Sequence, residues 1–164
     1  MSGKLKNLDD LLVHQLQDLY SAETQIIEAL PLMQEKAQNE KLKKAFQLHL
    51  EQTKKQKERL EKIGKLLNIK MQGEKCKAME GIIKEAQSFL KEDASAEVMD
   101  AGLIAEAQRV EHYEIAGYGT ARHYAHELGH NEAADLLSQT LEEEKDTDEK
   151  LNDLAIQRIN VKAE

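Results

Sequence analysis

The sequence predicts an all-α protein, a four-helix bundle with one long crossover. Composition, periodicity and the spacing of helix ends carry that reading. Among 164 residues there is one proline and there are eight glycines, while the strong helix formers Leu, Ala, Glu, Lys and Gln dominate. Val and Thr, which a sheet would need, are sparse. Apolar residues recur in steps of three and four over four long stretches, the spacing of one helical face. The connection between the second and third stretches is far longer than an antiparallel helical pair needs.

The first helix is expected at about 8–37, with Leu8, Leu12, Leu19, Ala22, Ile26 and Leu30 along one face. Pro31 removes a backbone donor there and should kink the last turns. Glu23 lies on the shoulder of the stripe. Asn39 is a suitable N-cap for a second helix at about 40–67. Its stripe runs Leu42, Phe46, His49, Thr53, Gln56, Leu60, Ile63, Leu67, apolar at both ends and polar in the middle. After a break around Gly73, Met79, Ile82, Ile83, Ala86 and Phe89 mark a short amphipathic helix at about 76–90, read as lying across the outside of the bundle. Asp93 or Ser95 can cap the third long helix, about 96–128, and Gly129 can supply its left-handed end. Asn131 should cap the fourth, about 132–159, with Leu137, Leu141, Glu144, Asp148, Leu151 and Ala155 on one face. One domain spanning 1–164 is expected, with a sizeable core.

The inward line of the third long helix reads Ile104, Gln108, Glu111, Ile115, Tyr118, with Glu114 on its shoulder. A carboxylate in a buried stripe needs a proton, a cation or a metal as partner. Glu23, His49 to Gln56, Glu111 with Glu114, and Glu144 with Asp148 each fall near the middle of their helix. In a bundle of equal-length helices, each about 45 Å long, the midpoints share one level. Polar groups from all four helices therefore converge on one layer of an otherwise apolar core. Clustered buried carboxylates repel one another, and divalent cations remove that cost by taking carboxylates and imidazoles as ligands. The metal-free reading stays beside this one: protonated or hydrogen-bonded acids that fix helix register, with Arg122 available to neutralise one of them.

The net charge of −8 and the lack of a basic block beyond Lys54-Lys55-Gln56-Lys57 argue against nucleic acid as a partner. The single cysteine, Cys76, excludes an intrachain disulfide, suits a reducing compartment and reads as a packing residue. No signal-peptide pattern and no membrane-spanning stretch is visible, so a cytoplasmic location is expected. The tyrosines read as amphipathic packing residues, and His123, His126 and His130 as a solvated helix end. Gly117 and Gly119 weaken the third long helix, and a close helix or subunit contact would explain them.

Several runs carry a family resemblance: Asp18 to Glu23, Ala29-Leu30-Pro31, Ala45-Phe46 with His49-Leu50-Glu51, Lys75-Cys76-Lys77-Ala78-Met79-Glu80-Gly81, 110–120, and 140–148. Over nearly the whole chain the sequence resembles the YciF-like bacterial stress proteins of the ferritin-like, rubrerythrin-related superfamily. That resemblance implies a ferritin-like fold, a homodimer and a link to stress response, without a defined reaction. Set against the wider di-iron pattern, Glu23 matches the first-helix ligand, and Glu111 with Glu114 resembles a Glu-x-x-Glu pair. The second helix departs from it, because Glu51-Gln52-Thr53-Lys54 has Lys where His is expected, and His49 is better placed. The fourth offers Glu144 and Asp148 in place of Glu-x-x-His.

The expected metal set is thus Glu23, His49, Glu111, Glu114, Glu144 and Asp148, holding a di-iron centre or manganese. A small oxidant, peroxide or dioxygen, would be the substrate. The alternative is a metal-free dimeric stress protein that acts through its surface.

Overall fold

In the computed structural model, which describes residues 5–164, the regular structure is helical throughout. The helices are α1 (Leu8–Lys36), α2 (Glu40–Leu67), α3 (Lys77–Phe89), α4 (Ala96–Glu127) and α5 (Asn131–Leu154). A π-helical turn, Ala155–Ile159, and a last turn, Asn160–Lys162, follow α5. α1 packs on α2 and α4 on α5, each pair joined by a short connection. Contacts of α1 with α4 and of α2 with α5 close the four-helix bundle. The short α3, in the crossover from α2 to α4, lies against α1 and α4.

The helix ends follow local chemistry. Asn7 accepts from the Asp10 N–H, Asn39 from Lys41 and Leu42, and Ser95 from Val98, each satisfying donors that the first turn leaves unpaired. Gly129 takes the left-handed conformation after α4, with φ of 78°, and Asn68 does the same after α2. Two expectations change. His130 occupies the cap position of α5 without a side-chain bond, and Asn131 is already inside the helix. The last helix is not continuous to residue 159: the π turn inserts there and keeps Ala155 and Ile159 buried while Ile156 faces out. α1 continues through Pro31 to Lys36.

The expected stripe of α2 is buried from Leu42 to Ile63. α4 is more enclosed than one stripe allows, because α1, α3 and α5 all pack on it. Glu114 and Gly117 are buried along with Glu111 and Tyr118, whereas Gln108 and Ile115 are half-buried at its edges. Gly117 is needed within the chain, since a Cβ there would stand 2.7 Å from Leu19 Cδ2; one at Gly119 would meet open space.

Asp100 is a tertiary cap. It is buried in α4, and its two carboxylate oxygens accept from the backbone N–H groups of Gln38 (2.7 Å) and Asn39 (2.8 Å). The α1–α2 turn is thereby pinned to α4. Replacing Asp100 with Ala orphans both donors and should cost about 1–3 kcal/mol, read as a lower urea midpoint with an unchanged m-value. An unchanged midpoint would show that the turn holds without it.

The core has two apolar blocks. One is built around Ile26, Phe46, Met79 and Leu103, and the other around Leu16, Leu60, Ile63 and Leu137. Between them lies the polar layer.

Candidate metal centre

The layer is assembled one helix at a time. α1 contributes Glu23, α2 His49, Thr53 and Gln56, α4 Glu111, Glu114 and Tyr118, and α5 Glu144; all are buried. Steps of four and three put the three α2 residues on one face, and the step of three puts Glu111 beside Glu114. Thr53 is self-satisfied, its hydroxyl donating to the His49 carbonyl at 2.8 Å.

The acids and the imidazole are not self-satisfied. One ligand atom each from His49, Glu111, Glu114 and Glu144 can be chosen so that all lie within 4.8 Å of one another. His49 Nδ1 is 3.2 Å from Glu111 Oε1, but the approach is not aligned for a hydrogen bond, and neither atom has such a partner. Both oxygens of Glu111 and of Glu114, both ring nitrogens of His49, and one oxygen each of Glu23 and Glu144 are buried without a hydrogen-bond partner. Outside the layer, Glu106 Oε2 is the single such atom among the described residues.

Electrostatics follow from that enclosure. Burial first, and then the charge of Glu144, push Glu111 and Glu114 well above the usual carboxylate range. The same two causes raise Glu23 to about 8, even though Tyr118 donates a hydrogen bond to it and partly counters them. Burial lowers His49, favouring the neutral imidazole that a metal requires.

Glu144 is oriented by Gln56, whose side-chain amide donates to it and also to Glu143 Oε2 at 3.0 Å. Glu143 in turn takes a two-pronged bond from Arg59, at 2.7 and 2.6 Å. Burial pushes the Glu143 carboxyl up, but the bonds from Arg59 and Gln56 outweigh it and leave the group ionised below the usual range. The line Arg59–Glu143–Gln56–Glu144 thus runs from the half-buried rim to the layer.

The structure gathers Glu23, His49, Glu111, Glu114 and Glu144 into the layer. Asp148 stays at the rim, where it accepts from Gln108 Nε2 (3.2 Å) and lies 3.1 Å from His112 Nε2. Thr147, three residues after Glu144, takes the buried place on α5 instead, and the carboxylate at 148 keeps water and two nitrogen partners. Arg122 turns to His123 Nε2 at 2.8 Å and forms no ion pair with the layer's acids. Glu51 is exposed, as its angular position requires.

Sequence reasoning overlooked Arg59 and Glu143 as supports of the layer. The available signal was Gln56, a buried amide three residues before Arg59. Cys76 is buried as a packing residue and also accepts the Met79 N–H at the start of α3. Tyr113 departs from a plain packing role by donating to Asp18 at 2.5 Å and lying 3.1 Å from Cys76 Sγ. This ties the crossover to α1 and α4.

A helical bundle with one long crossover and a buried carboxylate–imidazole layer is a ferritin-like bundle protein. Within that class, the chain belongs to the family described as a domain of unknown function, DUF892, whose model matches residues 7–164. It is 50% identical to Protein YciF of Escherichia coli (strain K12) over 161 residues, 98% of this chain and 97% of that protein. The crystal structure of the E. coli stress protein YciF superposes with a TM-score of 0.92 at 49% identity, covering 95% of this chain and 99% of that one. YcfI, a proposed structural protein from Rhodopseudomonas palustris, gives 0.89 at 47% identity over 93% and 97%. A protein from Xanthomonas campestris pv. campestris, at 20% identity, shares the fold with a TM-score of 0.73 and 92% coverage of each chain. By sequence and by fold the chain is thus YciF-like. No helix among the described residues is long and apolar enough to cross a membrane.

Proposed function

We propose that the layer binds one or two iron or manganese ions and that the protein serves the stress response by redox chemistry on dioxygen or peroxide. One observation carries this: His49, Glu111, Glu114 and Glu144 bring ligand atoms together deep in the bundle, with most of their lone pairs unused. A buried polar atom without a partner costs about 1–3 kcal/mol, and a divalent cation offsets several such costs at once. The mixed carboxylate and imidazole donors suit iron or manganese.

Glu111 and Glu144 would be the central carboxylate ligands, Glu23 and Glu114 would complete the carboxylate set, and His49 would be the nitrogen ligand. Bound metal would supply electrons to the oxidant. The chain's own residues keep His49 neutral, exclude bulk water with the two apolar blocks, and orient Glu144 through Gln56. Asp148 stands outside as a reserve carboxylate. The working unit is a cytoplasmic homodimer. A metal-free role, acting through the surface, draws support from the bonds that Tyr118 and Gln56 already make to Glu23 and Glu144.

The test is metal analysis of protein purified without chelator, followed by anaerobic Fe(II) titration of the wild type and Glu111→Ala. Saturable binding in the wild type and its loss in the variant are expected. No metal above background, with identical titrations, would leave the metal-free role standing.

A further inference from the structure

α3 does more than connect two halves of the bundle. With α1 and α4 it encloses a cavity of about 20 Å³, room for one water-sized molecule by the measure that needs about 10–15 Å³. Its inner end is formed by Ala107, Val110 and His49, and the walls are otherwise almost entirely hydrocarbon. Leu32, Gln87 and Leu90 form its outer end, and the same three residues line a recess that opens to solvent beside Lys91 and Asp93. The two spaces therefore adjoin across these three side chains. One opens to solvent, and the other reaches an imidazole of the layer that is itself only 2% exposed.

From this adjacency we infer that the space beneath α3 is the entry route to the layer, opened by movement of the Leu32, Gln87 and Leu90 side chains, and that it admits a neutral apolar molecule of dioxygen's class. The inference rests on the metal reading for its purpose, but not for its test. A charged oxidant would have to shed its hydration among leucine, isoleucine and valine side chains with no compensating partner. Hydrogen peroxide, with two donors and four acceptor lone pairs, meets only Gln87 at the threshold and His49 at the end. Dioxygen needs no hydrogen bonds and loses nothing on entry. The alanines at 29, 86 and 107 keep the route open. A leucine at 86, on the α3 wall, would fill it.

Dissolved dioxygen is paramagnetic and speeds the relaxation of protons it visits, so metal-free protein suffices as the sample. In oxygen-saturated buffer, side-chain protons of Ile26 and Leu30 should relax several-fold faster than those of Leu12 and Leu141, which are equally buried in the other block. Ala86→Leu should abolish the difference. Ala29→Leu, on a different helix, provides the same test should the first variant fold poorly. Equal relaxation in both blocks of the wild type would overturn the route, as would undiminished enhancement in a folded plugged variant. Neither result touches metal binding, which the anaerobic titration decides separately.

Discussion

Chelator-stripped protein should lose stability as the pH rises from about 5 to 8, against the habit of proteins whose carboxylates are ion-paired. Glu23, Glu111 and Glu114 all have folded-state pKa values above their unfolded ones. The native state therefore holds protons that the unfolded chain has released. Stability from these groups is fully present below the unfolded carboxylate range and is lost as pH climbs through the folded values, which for Glu23 means about 8. Each retained proton contributes a slope of about 1.4 kcal/mol per pH unit. His49 opposes this below about 6.5, because its lowered pKa makes the unfolded state the proton binder there. Three carboxyls outweigh one imidazole. Adding Mn(II) should flatten or reverse the trend, since metal binding displaces those protons and tightens with pH. Urea midpoints across that range, with and without the metal, give the answer. A stripped protein that gains stability steadily up to pH 8 would mean that the layer's acids are already ionised and paired.

Glu111→Leu should make the metal-free protein more stable while ending its response to metal. Both Glu111 oxygens are buried and without hydrogen-bond partners. An apolar side chain of similar length removes that cost, about 1–3 kcal/mol, or about 2–4 °C of melting temperature per kcal/mol for a chain of this size. The wild type should rise further when Mn(II) is added, by the mass-action term of a ligand that binds only the folded state. The variant should not rise. A destabilised variant would show that the Glu111 carboxyl is held by a bond the layer needs, and continued metal stabilisation would remove Glu111 from the ligand set.

The helices were legible because their stripes repeat over many turns: α2 begins and ends where Asn39 and the break after Leu67 predict. The layer was legible because polar residues interrupted otherwise apolar stripes at one depth. The sequence could not say which of two near-equivalent positions turns inward. On α5, Thr147 and Asp148 lie on either side of the inward direction, and packing against α4 buries the first and leaves the second to Gln108 and His112. On α4, contacts from three helices rather than one enclosed Glu114 as fully as Glu111. Arg122 pointed at the layer by periodicity alone, yet its long side chain turns away, to His123 at the helix surface. The support from Arg59 and Glu143 crosses more than eighty residues of chain, a separation to which periodicity within a helix is blind.

The short connections within α1–α2 and α4–α5, and the long one between these pairs, also imply an order of assembly. Each pair can form from contacts close in sequence, whereas joining the pairs must first close the crossover loop. Glu23 and His49 belong to the first pair and Glu111, Glu114 and Glu144 to the second. Each half thus carries a fragment of the donor set, and the full set exists only once the halves have docked. On the metal reading, the ion would gain its nitrogen ligand, His49, only at that docking, and so would act as a latch on the last event of folding.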